Sequence, residues 1–297
     1  MNKIFKNRYG EIRCGWAIMS LILLLLISLF IAQVLLPEDS HSPGNQILDT
    51  IIYGVLTISG GLLLIKLFYN CSFKQIGIIK DNWLFEMIHG ILIGTVASGL
   101  LFAISILINA IKVISYDIKY LFSLIMISEI FNIGIFAFVE EYLTRGCFMT
   151  ALKTTRKKVI ILFTSAILFS LLHIFNKGVT LLSTVNTFLA GILFSYMFIK
   201  SGKLWLPAGF HFAWNFLHGS ILGFIVSGYK HKSVIVIQLG NNPLLLGGSY
   251  GPEGGILVTA LLLLCLLYVK FAIKTTNQSI WTMENDLPLT RKGTKTN

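Results

Sequence analysis

The hydrophobic residues of this chain form long runs that are separated by short polar segments. Two of these runs, residues 16–36 and 179–199, contain no Asp, Glu, Lys or Arg. A run of about 20 apolar residues is long enough, as a helix, to cross the ~30 Å hydrocarbon core of a bilayer. Because lipid offers the backbone no hydrogen-bond partners, each run is predicted to be an α-helix.

Eight such runs predict an all-α membrane protein, a bundle of about eight transmembrane helices. The predicted spans are residues 16–36, 47–68, 83–111, 120–151, 159–175, 179–199, 204–227 and 254–271. The sequence lacks the alternating pattern of a membrane β-barrel. Residues 233–239, in the last polar loop, fit either a short strand or a re-entrant piece, and the pattern does not decide between them.

The basic residues predict how the bundle is oriented. With the N-terminus inside, 18 of the 24 Lys and Arg residues fall in inner segments and 5 in outer segments, while Arg145 lies within a span. This excess predicts that both termini are cytoplasmic. The first run follows a basic start, as a signal peptide would, but it is long and lacks a small-residue cleavage site, so a retained helix is predicted.

The composition agrees with a membrane protein. The chain is 55% hydrophobic and only 12% charged, which excludes an ordinary soluble domain. The net charge of +11 sits at the ends of the spans, not in a stripe with aromatic residues, so the bilayer and not a nucleic acid is the predicted partner. A single transmembrane domain is predicted over residues 1–280, followed by a polar basic tail, 281–297.

Ionisable side chains at membrane depth are costly unless they are paired or hydrated, so the few in this chain are candidates for function. Glu141 and Arg145 are four residues apart and therefore share a helix face, where they can form an ion pair. Glu140 points about 100° away from Glu141 and is left without that partner. We therefore expect Glu141 and Arg145 to form a structural clamp and Glu140 to be the reactive group.

Two later spans each carry a pair of candidate site residues at the same spacing of four. Phe169 and His173 share one helix face, and His211 and Asn215 share another. The other polar residues at membrane depth are Glu129, Asn132, Asn186 and His218.

This set of side chains suits attack of water on an amide. A glutamate in an apolar pocket can act as a general base, and a neighbouring histidine can polarise the same water or protonate a leaving amine. His211 and Asn215 resemble the donors of an oxyanion site. A glutamate with two histidines is also a ligand set for catalytic zinc, which makes Glu140, His173 and His211 candidate metal ligands.

The three motifs together resemble those of the CPBP family, which comprises CAAX prenyl endopeptidases and bacteriocin-processing or immunity proteins, also called Abi proteins. The motifs are Glu140-Glu141-x-x-x-Arg145, Phe169-x-x-x-His173 and His211-x-x-x-Asn215, in this order on successive predicted helices. The segment 250–253 is similar to a fourth, weaker family feature. The motif-bearing resemblance covers residues 135–255.

The resemblance implies an intramembrane endopeptidase whose cavity opens to the cytoplasmic side. In this family pattern Glu140 activates water, His173 assists, and His211 with Asn215 completes the oxyanion site. Both a zinc-dependent and a metal-free glutamate mechanism fit the motifs. The metal-free site is favoured slightly, because a zinc-bound Glu140 would leave the base to come from another residue.

The leading functional hypothesis is cleavage of a protein or peptide substrate at the membrane, either a lipidated protein or a small membrane-associated peptide. The abundance of Ile, Lys, Asn and Phe is typical of an AT-rich bacterium and favours a bacterial plasma membrane. One alternative is a non-catalytic bacteriocin-immunity or scaffold protein of the same fold, and the complete motifs favour the enzyme. A proton-coupled transporter is disfavoured because no inverted repeat is visible.

Overall fold

The computed structural model describes residues 2–7, 10–35 and 43–276, and this part of the chain is mostly helical. Its long helices are α1 (Cys14–Leu35), α2 (Pro43–Tyr69), α3 (Trp83–Leu107), α4 (Leu124–Glu141), α5 (Lys158–Leu172), α6 (Leu181–Ser201), α7 (Trp205–Phe216) and α8 (Ile256–Ala272). Short α-helices lie at Asn2–Phe5, Met149–Leu152 and Pro243–Leu246, and 3-10 turns at Ile118–Phe122, Lys153–Thr155, Gly248–Tyr250 and Pro252–Gly254.

Each of the eight predicted spans overlaps one of the long helices. Within the described ranges, α1, α2, α3 and α6 are long and apolar enough to cross a membrane, and α5 and α8 are shorter apolar helices. Many large apolar side chains on their surfaces are exposed, as expected for groups that face lipid. The chain is therefore a multi-pass membrane protein. The predicted tail, 281–297, lies outside the described residues.

Two of the helices continue into π-helical segments. Tyr142–Phe148 follows α4 directly, and Leu217–Ile221 follows α7. A π-helical turn inserts an extra residue into the helical repeat, changes the direction of the side chains that follow, and is frequent at functional sites. The first π segment starts immediately after Glu141, and the second starts two residues after Asn215.

Two small sheets correct the all-α prediction. Strand β1 (Ile111–Tyr116) pairs antiparallel with β4 (Ile235–Leu239), and β2 (Ile225–Val226) pairs with β3 (Tyr229–Lys230). The segment 233–239 thus contains a strand. The predicted spans 83–111 and 204–227 were too long, because an apolar run does not distinguish a helix from the β-strand that follows it.

Helix α7, which carries His211, is held in position by a close contact with α3. A Cβ atom at Gly90 of α3 would overlap the backbone of Leu206 in α7, and one at Gly209 of α7 would overlap the backbone oxygen of Met87 in α3. The two backbones can approach this closely only because both positions lack a side chain. Small residues at such a crossing are typical of helix packing in membranes.

Candidate active site

The carboxylates of Glu140 and Glu141 are adjacent in sequence but have different surroundings. The side chain of Glu141 is 0% exposed, whereas that of Glu140 is 32% exposed and lines a cavity. Successive residues at the end of α4 point about 100° apart, so one carboxylate faces the protein interior and the other faces the cavity.

The buried carboxylate of Glu141 pairs with Arg145, as the spacing of four predicts. Nη1 of Arg145 donates to Oε1 of Glu141 at 2.9 Å, and Nη2 donates to the carbonyl of Gly191 in α6 at 3.1 Å. The guanidinium carbon lies 4.4 Å from the ring centre of Phe169 and 5.1 Å from that of Phe194. These contacts compensate a charge that is fully buried.

His211, in α7, lies between the two carboxylates. Its Nδ1 donates to Oε1 of Glu141 at 2.9 Å, and its Nε2 is 3.7 Å from Oε2 of Glu140. The ring is buried and stacks on Phe194, with centroids 5.0 Å apart. Glu141 therefore fixes the orientation of the imidazole and turns Nε2 towards Glu140.

His173 caps the C-terminus of α5 and does not lie inside the helix, where the predicted span 159–175 had placed it. α5 ends at Leu172, and His173 is its C-cap. Nδ1 of His173 donates to the carbonyl of Phe169 at 2.9 Å, and the two rings are in contact, with centroids 4.8 Å apart. This hydrogen bond places the Nδ1 proton and leaves Nε2 without a proton when the ring is neutral.

A cavity of about 670 Å³ brings the four site residues of the sequence prediction together. Glu140, His173, His211 and Asn215 all line it, as does Phe169, whereas Glu141 and Arg145 do not. Other polar residues in its wall include Tyr53, Glu129, Asn132, Asn176, Asn186, Thr187, Ser227, Tyr229, His231 and Glu253. Apolar side chains from α1, α4, α5, α6, α7 and α8 also line it. A mostly apolar cavity with a few convergent polar groups is typical of a ligand site.

The candidate zinc ligands Glu140, His173 and His211 do not form a three-ligand group. Across residues 2–7, 10–35 and 43–276, no three His, Cys, Asp or Glu side chains are arranged to hold a metal ion. We therefore derive no catalytic step through zinc.

Residues 121–217 match the family model described as Type II CAAX prenyl endopeptidase Rce1-like. The match supports CPBP family membership. It covers about a third of the chain and contains all three motifs, ending two residues after Asn215. The CPBP assignment thus rests on the segment that carries Glu140, His173 and His211. Comparisons with curated proteins and with solved structures gave no match.

Glu253 lies outside the CPBP match and outside the predicted site, yet it lines the same cavity. Its carboxylate accepts hydrogen bonds from Nε1 of Trp214 at 3.0 Å and from the backbone N and Oγ of Ser227 at 2.7 and 2.6 Å. Nδ2 of Asn186 donates to the Glu253 carbonyl at 2.8 Å. The signal in the sequence was the segment 250–253, which is similar to a family feature but gave no role to the glutamate.

His218, which continues the helix face of His211 and Asn215, is not part of the cavity wall. Its ring is fully buried, and neither nitrogen has a hydrogen-bond partner among the described residues. It packs instead against Trp214 and Phe224, with centroids 4.2 and 5.5 Å away. His218 is therefore a packing residue in this structure.

Proposed function

We propose that this chain is an intramembrane endopeptidase in which Glu140 activates a water molecule to cleave a peptide bond. The CPBP match supports a protease of this family, and the contrast between the two carboxylates supports Glu140 as the reactive group. Glu141 is bonded to Arg145 and His211, whereas Glu140 faces the cavity. A base must reach the substrate, and only Glu140 of this pair does so.

The attacking water would sit between Glu140 and His211. Their 3.7 Å separation is longer than a hydrogen bond, and a water molecule beside the gap can contact both atoms. The Glu140 carboxylate takes a proton from this water as its oxygen adds to the carbonyl carbon of the substrate. General base catalysis of this kind contributes roughly 10²–10⁴-fold to the rate.

The negative oxygen that forms on the substrate carbonyl needs hydrogen-bond donors. When His211 is protonated, Nδ1 keeps its bond to Glu141 and Nε2 also carries a proton that it can donate to this oxygen. Asn215, one turn later on α7, supplies an amide at the same cavity wall. The two donors act in a mostly apolar cavity, where such hydrogen bonds are effective.

His173 would carry the proton to the leaving group. Its Nδ1 is held by the Phe169 carbonyl, so Nε2 of the neutral ring can accept the proton that Glu140 took from water. His173 then donates this proton to the amine nitrogen as the carbon–nitrogen bond breaks. The products are a carboxylic acid and an amine, and transfer of the remaining acid proton to the amine gives a carboxylate and an ammonium group.

The membrane arrangement is part of the proposal. Eight helices cross a bacterial plasma membrane, and both termini lie in the cytoplasm. Reporter fusions to the loops around residues 80, 155 and 230 test this arrangement: the first two should report the cytoplasm and the third the outside. A reporter at residue 155 that is outside would contradict it.

The proposed mechanism needs no metal, and chelation tests this point directly. We expect 1,10-phenanthroline or EDTA to leave the cleavage rate of the purified protein within about twofold. A loss of activity that added Zn²⁺ restores would show that the reaction depends on zinc.

The non-catalytic alternative, a bacteriocin-immunity or scaffold protein, is tested in cells. Membrane peptides of the wild type are compared by mass spectrometry with those of Glu140→Gln, and Asp117→Asn, an exposed carboxylate, is the control. We expect a precursor to accumulate in Glu140→Gln only, which would also identify the substrate. Identical peptide profiles, together with an immunity phenotype that survives Glu140→Ala and His173→Ala combined, would favour the alternative.

A further inference from the structure

A second polar group lies in the same cavity, away from Glu140. Glu129 of α4 accepts hydrogen bonds on Oε2 from Nδ1 of His231 at 2.9 Å and from Oγ of Ser220 at 3.3 Å. Its Oε1 has no hydrogen-bond partner among the described residues. The Glu129 side chain is 17% exposed, and both Glu129 and His231 line the cavity. One carboxylate oxygen is thus available to a ligand.

Asn132 carries a second acceptor without a donor, on the same helix face as Glu129, although this oxygen is not itself exposed to the cavity. It lies three residues after Glu129, hence on the same face of α4, and it also lines the cavity. Its Nδ2 donates to Oγ of Ser128 at 3.2 Å, whereas its Oδ1 is buried and has no partner in the described structure. A buried acceptor without a donor is costly, so the pair favours a ligand with several N–H groups.

The charges of the cavity favour a cation. Its wall contains three glutamates, Glu129, Glu140 and Glu253, and no Lys, Arg or Asp among the described residues. Glu253 already accepts three hydrogen bonds, and the proposed mechanism uses Glu140. Lys232, next to His231, does not line the cavity; it pairs with Asp117 at 3.5 Å. Glu129 therefore remains as the carboxylate that can bind a cationic group.

We propose that Glu129 and Asn132 form a subsite for the side chain of a lysine or arginine in the peptide substrate. This inference rests on the proposed peptidase function. Glu129 and Glu140 are 11 residues apart on α4, which corresponds to about 16 Å along the helix axis. An extended peptide covers this distance in about five residues. The subsite thus selects a basic residue roughly five positions from the cleaved bond.

A degenerate library of 12-residue peptides, incubated with the purified protein in proteoliposomes, tests the position. Mass spectrometry of the products locates each cut and each basic residue. We expect Lys and Arg to be enriched at one position four to six residues from the cut. Peptides that carry lysine there should be cleaved with about tenfold higher kcat/KM than the same peptides with norleucine.

Two variants and a control connect this preference to the subsite. Glu129→Gln should reduce the lysine-to-norleucine ratio to below about threefold, and Asn132→Asp, which adds a charge, should increase it. Asp117→Asn removes a carboxylate outside the cavity and should leave the ratio unchanged. A monodisperse elution profile of each variant establishes that it is folded, and Asn132→Asp remains informative if Glu129→Gln does not fold.

The failure of this inference can be distinguished from the failure of the proposed function. If no library peptide is cut in a manner that requires Glu140, the peptidase function is wrong and the subsite proposal falls with it. If Glu140-dependent cleavage occurs without a basic preference, or with a preference that Glu129→Gln and Asn132→Asp leave unchanged, only the subsite is refuted.

Discussion

Glu141 accepts a hydrogen bond from Nδ1 of His211 at 2.9 Å, and both side chains are buried. The same carboxylate oxygen accepts from Arg145. One buried group therefore holds α4 and α7 together and orients the imidazole that faces Glu140. Its contribution is structural, whereas we assign the chemistry to the neighbouring carboxylate.

Replacing Glu141 by Gln should destabilise the folded protein. It should not remove any direct contact with the substrate. The change leaves the buried guanidinium of Arg145 without a counter-charge, which costs about 3–5 kcal/mol. Thermal unfolding in detergent should show a clear decrease in Tm. Asp117→Asn, which breaks the exposed pair with Lys232, should cost less than about 1 kcal/mol.

A double variant tests whether the unpaired charge of Arg145 is the reason for the lower stability of Glu141→Gln. Combining Glu141→Gln with Arg145→Met removes both charges, so the double variant should be more stable than Glu141→Gln alone. An equal or lower Tm of the double variant would show that the charge pair is not the cause.

His218→Phe should be tolerated, in contrast to any change of His211. Both ring nitrogens of His218 are buried without partners in the described structure, and an aromatic ring of similar shape removes that cost. We expect Tm to remain the same or rise by an amount equivalent to about 1–2 kcal/mol, with activity within about twofold. A strong loss of activity in this variant would show that His218 contributes to catalysis and not only to packing.

The parts of this structure that follow from local pattern were predictable from the sequence. Apolar runs predicted where the helices lie, and the spacing of four predicted the pair of Glu141 with Arg145. Helix ends were less predictable. Residue 111 begins a strand and His173 ends α5, because tertiary pairing and capping decide these boundaries.

The non-local parts of the site could not be obtained from one sequence. Glu141 of α4 and His211 of α7 are 70 residues apart, and no spacing rule shows that they share a hydrogen bond. The contacts of Glu253 and Glu129 likewise depend on how the segment between α7 and α8 folds back against the cavity. Such contacts depend on how distant segments of the chain pack together, and one sequence alone does not show this packing.

Trp214→Phe tests how far Glu253 positions the cavity wall. The substitution removes the indole N–H that donates to Glu253 at 3.0 Å but keeps an aromatic ring beside Phe210. A hydrogen bond to a charged group contributes about 1.5–3 kcal/mol, so Tm should fall measurably. We expect kcat to fall severalfold while KM changes little, because Trp214 precedes Asn215 on α7. Unchanged Tm and kcat would contradict this role.

Gly209→Val tests the close contact between α3 and α7. A Cβ at Gly209 would overlap the backbone oxygen of Met87, so the helices must separate and His211 must move with α7. We expect poor yield of folded protein and loss of activity in any folded fraction. Gly99→Ala, at a position with open space around it, is the control and should behave as wild type. Normal stability and activity of Gly209→Val would refute the packing.

The central claim is that Glu140 is the base, and one kinetic measurement tests it most directly. The substrate found in the membrane peptides is cleaved by purified wild type and by Glu140→Gln, under single-turnover conditions and at matched folded concentration. We predict a rate decrease of at least about 10²-fold, with substrate binding and Tm nearly unchanged, because Gln keeps the shape of the side chain but cannot accept the proton. A Glu140→Gln rate within about threefold of wild type would contradict the account.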